Sequence, residues 1–195
     1  MMKLEQMQAL LQESIPGKRY KHSVNVYEAA LKLAEAHKLS AEATAKVAVA
    51  ALLHDCGREV PSKESVAKAR ELSLPIDEVE LNQPILLHAK LGVYNAMHKY
   101  GVAEQEILDG ILYHTTGING MSTLAKIVFL ADMIEPGRDF PGVEELRRLA
   151  RKDLDQAMLM AYSNTIKYLL EGGQLIHPHC IAGYNELILV AKNKK

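Results

Sequence analysis

The sequence predicts an all-α fold, a helical bundle closed around one core. Three observations carry that expectation. Apolar residues recur at spacings of three and four almost throughout, which is the period of an amphipathic helix. Runs of β-branched alternation bounded by turn residues, the mark of strands, are hard to find. Pro75, Gly101, Gly117, Pro136, Pro141, Gly172 and Gly173 separate the periodic segments, as helix boundaries require.

In chain order, Leu4, Met7, Leu10 and Leu11 give a first short helix. It stops at Ile15-Pro16-Gly17, because the residue before proline avoids the α region and glycine permits a turn. A second helix is expected from about Lys18 to His37, with Val26, Ala30, Leu33 and Ala34 on one face. Ser40 caps a third, Ala-rich helix that is apolar on most sides and is expected to end near Gly57 and Pro61. Further helices are expected over about Lys63 to Leu72, Pro84 to Tyr100, Ala103 to Tyr113, Ser122 to Ile134, Val143 to Arg151, Leu154 to Glu171 and Pro178 to Ala191. On pattern alone Leu187 to Val190 also suits a strand. No repeat, linker or low-complexity tract interrupts the series, so 195 residues read as one domain, against a prior of about 150 residues each.

Composition bounds the function. Hydrophobic residues make up 48% and charged ones 24%, the balance of a soluble globular domain. Lys plus Arg number 23 against 24 Asp plus Glu, for a net charge of -1. No global basic field therefore draws the chain to a nucleic acid polymer or an acidic membrane. The two cysteines, Cys56 and Cys180, do not form the spaced, even set of a secreted disulfide scaffold, which favours a reducing cytoplasm. The N-terminus lacks the apolar stretch of a signal peptide, and the longest apolar run, Val47 to Leu53, falls far short of the roughly 20 residues of a membrane span. A homodimer is the default expectation for assembly.

The informative feature is where the histidines fall. His22 lies four residues before Val26 on the apolar face of its helix, and His54-Asp55 closes the most apolar helix. His88 follows Ile85-Leu86-Leu87, His114 follows Ile111-Leu112-Tyr113, and Asp132 follows Val128-Phe129-Leu130-Ala131. Imidazoles and carboxylates are thus repeatedly placed after buried stretches, where polar groups must be satisfied. Taken singly, each histidine reads as a hydrogen-bonded core residue. Taken together, they need a shared partner, and a divalent metal uses neutral imidazole and ionised carboxylate at once. Six candidate ligands exceed one closed tetrahedral site, which implies two metals, or one with open positions, and points to metal-assisted hydrolysis.

Arg58 and Arg138 follow proposed ligands by four and six residues, close enough to line the same cavity and neutralise a polyphosphate. Arg147, Arg148, Arg151 and Lys152 alternate with acids and leucines and are expected on a solvated face. His37 and His98 read as surface or capping residues. His177 and His179 flank Pro178, so they do not share a helix face as a metal pair, and a substrate-side contact stays open for them. Cys56 is expected to be a packed, reduced thiol.

The order His22, His54-Asp55, His88, His114, Asp132 resembles the H…HD…H…H…D pattern of the HD-domain metal-dependent phosphohydrolases, an all-α superfamily. Tyr113-His114-Thr115-Thr116-Gly117, Met121-Ser122 and the run from Ala131 to Gly142 resemble the YqeK-type bacterial hydrolases that cleave diadenosine tetraphosphate symmetrically. Ile176-His177-Pro178 and Tyr184-Asn185 are similar to that family's ending. The resemblance covers about Lys18 to Leu187. Arg58 stands where the family usually has Lys, and Ile118-Asn119 follows Thr-Thr-Gly where a basic residue is common.

That resemblance implies an HD-type helical bundle and a definite division of roles. His22, His54, Asp55 and Asp132 would hold one metal, and His88 with His114 a second, with Asp55 able to bridge. A metal-bound hydroxide would be the nucleophile, with Asp55, Arg58, His88 and His114 as the catalytic set. Arg58, His114, Thr115, Thr116, Arg138, Tyr184 and Asn185 would bind a dinucleoside polyphosphate. Iron, followed by manganese or cobalt, suits several imidazoles better than magnesium, which prefers oxygen ligands. Two alternatives remain open at this point. One is an HD hydrolase of mononucleotides or deoxynucleoside triphosphates, and the other is a nucleotide-sensing module that does not turn over.

Overall fold

The computed structural model describes residues 2–193. Among the described residues eleven α-helices run in order: α1 Leu4–Ser14, α2 Gly17–Ala36, α3 Ala41–Leu53, α4 Ser65–Glu71, α5 Glu78–Asn82, α6 His88–His98, α7 Gln105–Leu112, α8 Thr123–Ile134, α9 Val143–Ala150, α10 Leu154–Glu171 and α11 Pro178–Asn193. Short 3₁₀ turns occupy Cys56–Glu59, Ser62–Glu64 and Pro84–Leu87. No strand occurs among the described residues, and Leu187 to Val190 is helical. None of the described helices is long and apolar enough to cross a membrane.

Two helices form the centre because their sequences leave them no polar face. Every residue of α3 from Val47 to Leu53 is buried, and α8 buries Leu124, Ala125, Ile134 and the whole run from Ile127 to Ala131. Both start at a serine cap: the Ser40 side chain accepts from the Ala43 N–H and that of Ser122 from the Ala125 N–H, satisfying donors that a helix start leaves free. α2 and α7 each pack on both central helices. α10 joins α8, α9 and α11 on the far side of α8. One apolar cluster links the helices from Met7 to Leu187.

Three departures from the sequence expectation shape the site. α3 ends at Leu53, before the expected Gly57. Successive residues of an α-helix point about 100° apart, so leaving the helix at this point allows His54 and Asp55 to face one centre. A 3₁₀ turn at Pro84–Leu87 precedes α6, where one continuous helix was expected. A short helix, α5, was not expected at all. It is held by a reciprocal cap in which Asp77 accepts from the Glu80 N–H and Glu80 from the Asp77 N–H.

One close approach sets the position of α6. A Cβ on Gly57 would stand 2.1 Å from the His88 carbonyl oxygen and 2.5 Å from the Gly92 nitrogen. Only glycine lets the turn after Asp55 touch the backbone of α6, and that contact sets Asp55 against His88.

Candidate metal centre

Four imidazoles and two carboxylates meet where α2, α8 and the ends of α3 and α7 come together with the start of α6. His22 to His54, His54 to His114 and His88 to His114 have ring centroids 5.3, 5.0 and 4.9 Å apart, all edge to face. His22 Nε2 lies 3.0 Å from Asp132 Oδ1. Asp55 turns Oδ2 toward His54 Nε2 at 3.9 Å, and Oδ1 toward His88 Nε2 at 3.3 Å and His114 Nε2 at 3.8 Å. Two sets of ligand atoms lie within 4.8 Å of one another: His22, His54 and Asp132, and His54, Asp55 and His114.

The backbone decides which nitrogen of each ring is free. His54 Nδ1 donates to the Ala51 carbonyl at 2.8 Å, His114 Nδ1 to that of Ile111 at 2.7 Å, and His88 Nδ1 to that of Ile85. A carbonyl only accepts, so all three rings carry their proton on Nδ1 and leave Nε2 as a bare lone pair. Each histidine sits just after a helical segment, three residues beyond a carbonyl that the segment leaves unpaired. His22 is inside α2, where carbonyls are already taken, and its Nδ1 instead meets Glu135 Oε1 at 3.2 Å.

This donor set fits a divalent metal. His54 Nε2 is fully buried and has no hydrogen-bond partner among the described residues. His88 Nε2 and His114 Nε2 are 2.9 Å apart with only the Thr115 hydroxyl beside them, which can donate to one ring at a time and leaves the other lone pair for a cation. Burial pushes His88 down to about 3 and His114 down to about 4, so both are neutral, as metal ligands must be. Burial opposes the charge on Asp55, but His54, His88 and Arg58 outweigh it and hold the carboxyl well below the usual range. Asp132 is likewise held ionised, against its burial, by His22 and by nearby positive charge. His22 is raised: burial lowers it, but the hydrogen bond and charge of Asp132 more than compensate.

The arginines stand at the rim. Arg58 Nε donates to Asp55 Oδ1 at 3.0 Å. Arg138 Nε donates to the Asp132 carbonyl at 2.8 Å, and its Nη2 is bonded to the Asp132 carboxylate. Thr115 Oγ1 lies 3.0 Å from His114 Nε2 and 3.3 Å from His88 Nε2. Thr116 bonds to the Gly117 carbonyl and lines a neighbouring cavity. Tyr184 packs against the core on α11, and Asn185 is exposed on the same helix.

Sequence reasoning passed over two residues here. Glu135 is buried and accepts from Asn25 Nδ2 at 2.8 Å and the Gly137 N–H at 2.6 Å as well as from His22. Its only signal was a carboxylate three residues after Asp132. Arg19 Nη1 reaches Asp55 Oδ2 at 3.4 Å, with a position three before His22 as its trace. Outside the centre, Cys56 is buried, bonded to the Gly92 carbonyl, and pushed up by burial, as expected of a packed thiol. His37 ties α2 to the Ala150 carbonyl at 2.7 Å, and His98 stacks on Tyr94. Arg148 pairs with Glu145 at the surface, but Arg147 leaves the solvated face to cap the carbonyls of Ile134, Glu135 and Arg138.

Residues 19–137 match the HD domain family. The chain is 36% identical over 187 residues to a symmetrical bis(5'-nucleosyl)-tetraphosphatase of Bacillus subtilis (strain 168), covering 96% of this chain and 98% of that one. It is 38% identical over 183 residues to an enzyme of the same name from Halalkalibacterium halodurans, covering 94% and 96%. A crystal structure described as a predicted HD superfamily hydrolase involved in NAD metabolism, from Clostridium acetobutylicum, superposes over the whole of both chains with a TM-score of 0.90 at 34% identity. The chain belongs to the HD domain family, in the branch that holds these symmetrical tetraphosphatases.

Proposed function

We propose that this protein is a metal-dependent hydrolase that cleaves diadenosine tetraphosphate symmetrically to two ADP. The observation that carries the reading is the convergence of three deprotonated Nε2 atoms on Asp55, beside a His22–Asp132 pair. The activity named for relatives that match nearly the whole chain supplies the substrate.

The six ligands suit two divalent transition ions: His22, His54, Asp55 and Asp132 would hold one, and His88 and His114 the other. Iron, manganese or cobalt answers the imidazole-rich donor set. Such ions supply a nucleophile at neutral pH and relief of charge on phosphoryl oxygens. Asp55 would be shared between them, a reading supported by one carboxylate oxygen facing His54 and the other facing His88 and His114. Arg58 and Arg138 offset charge on the polyphosphate from the rim and hold it in line for displacement. Thr115 hydrogen-bonds to a phosphoryl oxygen at the His88–His114 edge.

Initial rates of metal-replete protein on diadenosine tetraphosphate and on single nucleotides test this reading. The dinucleotide is expected to be the more efficient substrate. Faster phosphate release from mononucleotides or deoxynucleoside triphosphates would overturn it in favour of the general HD phosphohydrolase.

A further inference from the structure

Two cavities adjoin the centre, and their chemistry differs. One of about 130 Å³ is lined by Arg19, Arg58 and His88 and is suited to phosphate. The other, of about 160 Å³, is lined by Tyr113, Thr115, Thr116, His177 and His179 among others. Thr115 belongs to this second cavity and also touches His88 and His114, so the space opens directly beside the metal centre. It is smaller than the roughly 300–1,000 Å³ of a pocket that encloses a whole ligand. A single ring system is what it can hold.

The charged groups of this cavity satisfy one another. Asp77 Oδ1 accepts from the Glu80 N–H at 2.9 Å, and Oδ2 accepts from His177 Nε2 at 2.9 Å. Lys90 Nζ donates to Glu80 Oε2 at 2.6 Å and to the Pro75 carbonyl at 2.8 Å. The Asp77, Glu80 and His177 ligand atoms cluster, but an ammonium already serves the cluster, so it is neither a cation site nor an anion site. His177 Nδ1 accepts from the His179 N–H at 3.2 Å, which makes Nε2 the protonated nitrogen and fixes the ring. A contact spanning a hundred residues thereby pins the start of α11 to the cap of α5.

What this frame leaves free is aromatic. The rings of Tyr113 and His179 stand edge to face at 5.8 Å, and neither side chain spends its polar atoms on a hydrogen bond among the described residues. Both are partly exposed to the cavity. His177 and His179 lie beyond residue 137, where the HD domain match ends, so this wall is an addition to the shared metal-binding part.

We propose that the cavity is a subsite for one nucleobase, with His179 and Tyr113 as its stacking walls and the His177–Asp77 pair as the strut that positions them. It rests on the reading above for the placement of the phosphates at the centre. The same site would retain the product nucleoside diphosphate.

Calorimetric titration of the metal-loaded full chain with ADP and with inorganic pyrophosphate tests the subsite without needing turnover. The wild-type protein should bind ADP more tightly than pyrophosphate. His179→Ala should weaken ADP by at least about fivefold, the lower end of what stacking on a base contributes, and leave pyrophosphate unchanged. His179→Phe should restore ADP binding, and Tyr113→Leu, on a different segment, should weaken it independently of how His179→Ala folds. Equal wild-type affinities, parallel loss of both probes, no loss in either truncation, or failure of His179→Phe to rescue would overturn the proposal. Base-dependent binding in a protein that does not cleave diadenosine tetraphosphate would keep the subsite and remove the hydrolase reading instead.

Discussion

His88 Nε2 and His114 Nε2 stand 2.9 Å apart with no proton between them, because each ring has placed its proton on Nδ1 against a backbone carbonyl. The Thr115 hydroxyl beside them can donate to one of the two lone pairs, and the other is left to face a cation. Neutral imidazoles placed this way would be ligands of a metal, and its binding free energy would add to the stability of the folded state.

The first expectation is therefore stoichiometric. Protein purified without chelators under anaerobic conditions should carry about two transition-metal equivalents, because six inward ligands exceed the needs of one open site. Elemental analysis reads this directly, and a metal-free result would remove the two-metal arrangement.

Glu135 should matter for metal retention although it is not placed among the ligands. It accepts from His22 Nδ1 and so directs Nε2 of that ring to the centre. Loss of such an outer partner costs about 10- to 100-fold in metal affinity or activity. Glu135→Ala should show that loss in a metal-buffer titration, and Glu135→Gln, which keeps an acceptor, should lose less. Equal behaviour of the two variants would reduce Glu135 to a structural carboxylate.

Arg138→Ala should lower kcat/KM for the polyphosphate by about 1.5–3 kcal/mol, the worth of a charged hydrogen bond, with metal content preserved. Arg138 is bonded to Asp132, so steady-state kinetics must be paired with metal analysis. Metal loss accompanying the kinetic loss would show that the arginine serves the ligand and not the substrate.

The metal-free protein should be sensitive to acid. His88 and His114 sit at about 3 and about 4 against an ordinary 6.5, chiefly through burial. Groups lowered on folding bind fewer protons in the native state than in the unfolded one, so their contribution is complete above about pH 6.5 and is lost as pH falls toward about 4 and below. Asp55 and Asp132, held low as well, extend the loss further down. Tm of the metal-free protein should fall between about pH 7 and 4.5, and less steeply in His88→Gln. A flat Tm over that range would contradict the assigned protonation.

The residues that could be read from sequence are those whose type and neighbours both carry information. Three histidines following apolar runs announced buried imidazoles, and the structure shows why the spacing recurs: each needs a carbonyl three residues back. The central helices α3 and α8 were legible because nearly all their residues are apolar. α5 was not, since five residues give no period, although Asp77 and Glu80 spell a reciprocal cap. Glu135 and Arg19 act through contacts 113 and 36 residues away in sequence, and no local pattern encodes such distances. Arg147 looked like one charge of a solvated run because its acceptors, the carbonyls past the end of α8, have no sequence signature.

Hydrolysis of diadenosine tetraphosphate in oxygen-18 water by metal-replete protein tests the central claim most directly. Attack at the middle bridge from the His–Asp centre predicts ADP as the sole early nucleotide, with one labelled oxygen in one of every two molecules. ATP together with AMP, or label appearing in inorganic phosphate, would contradict it.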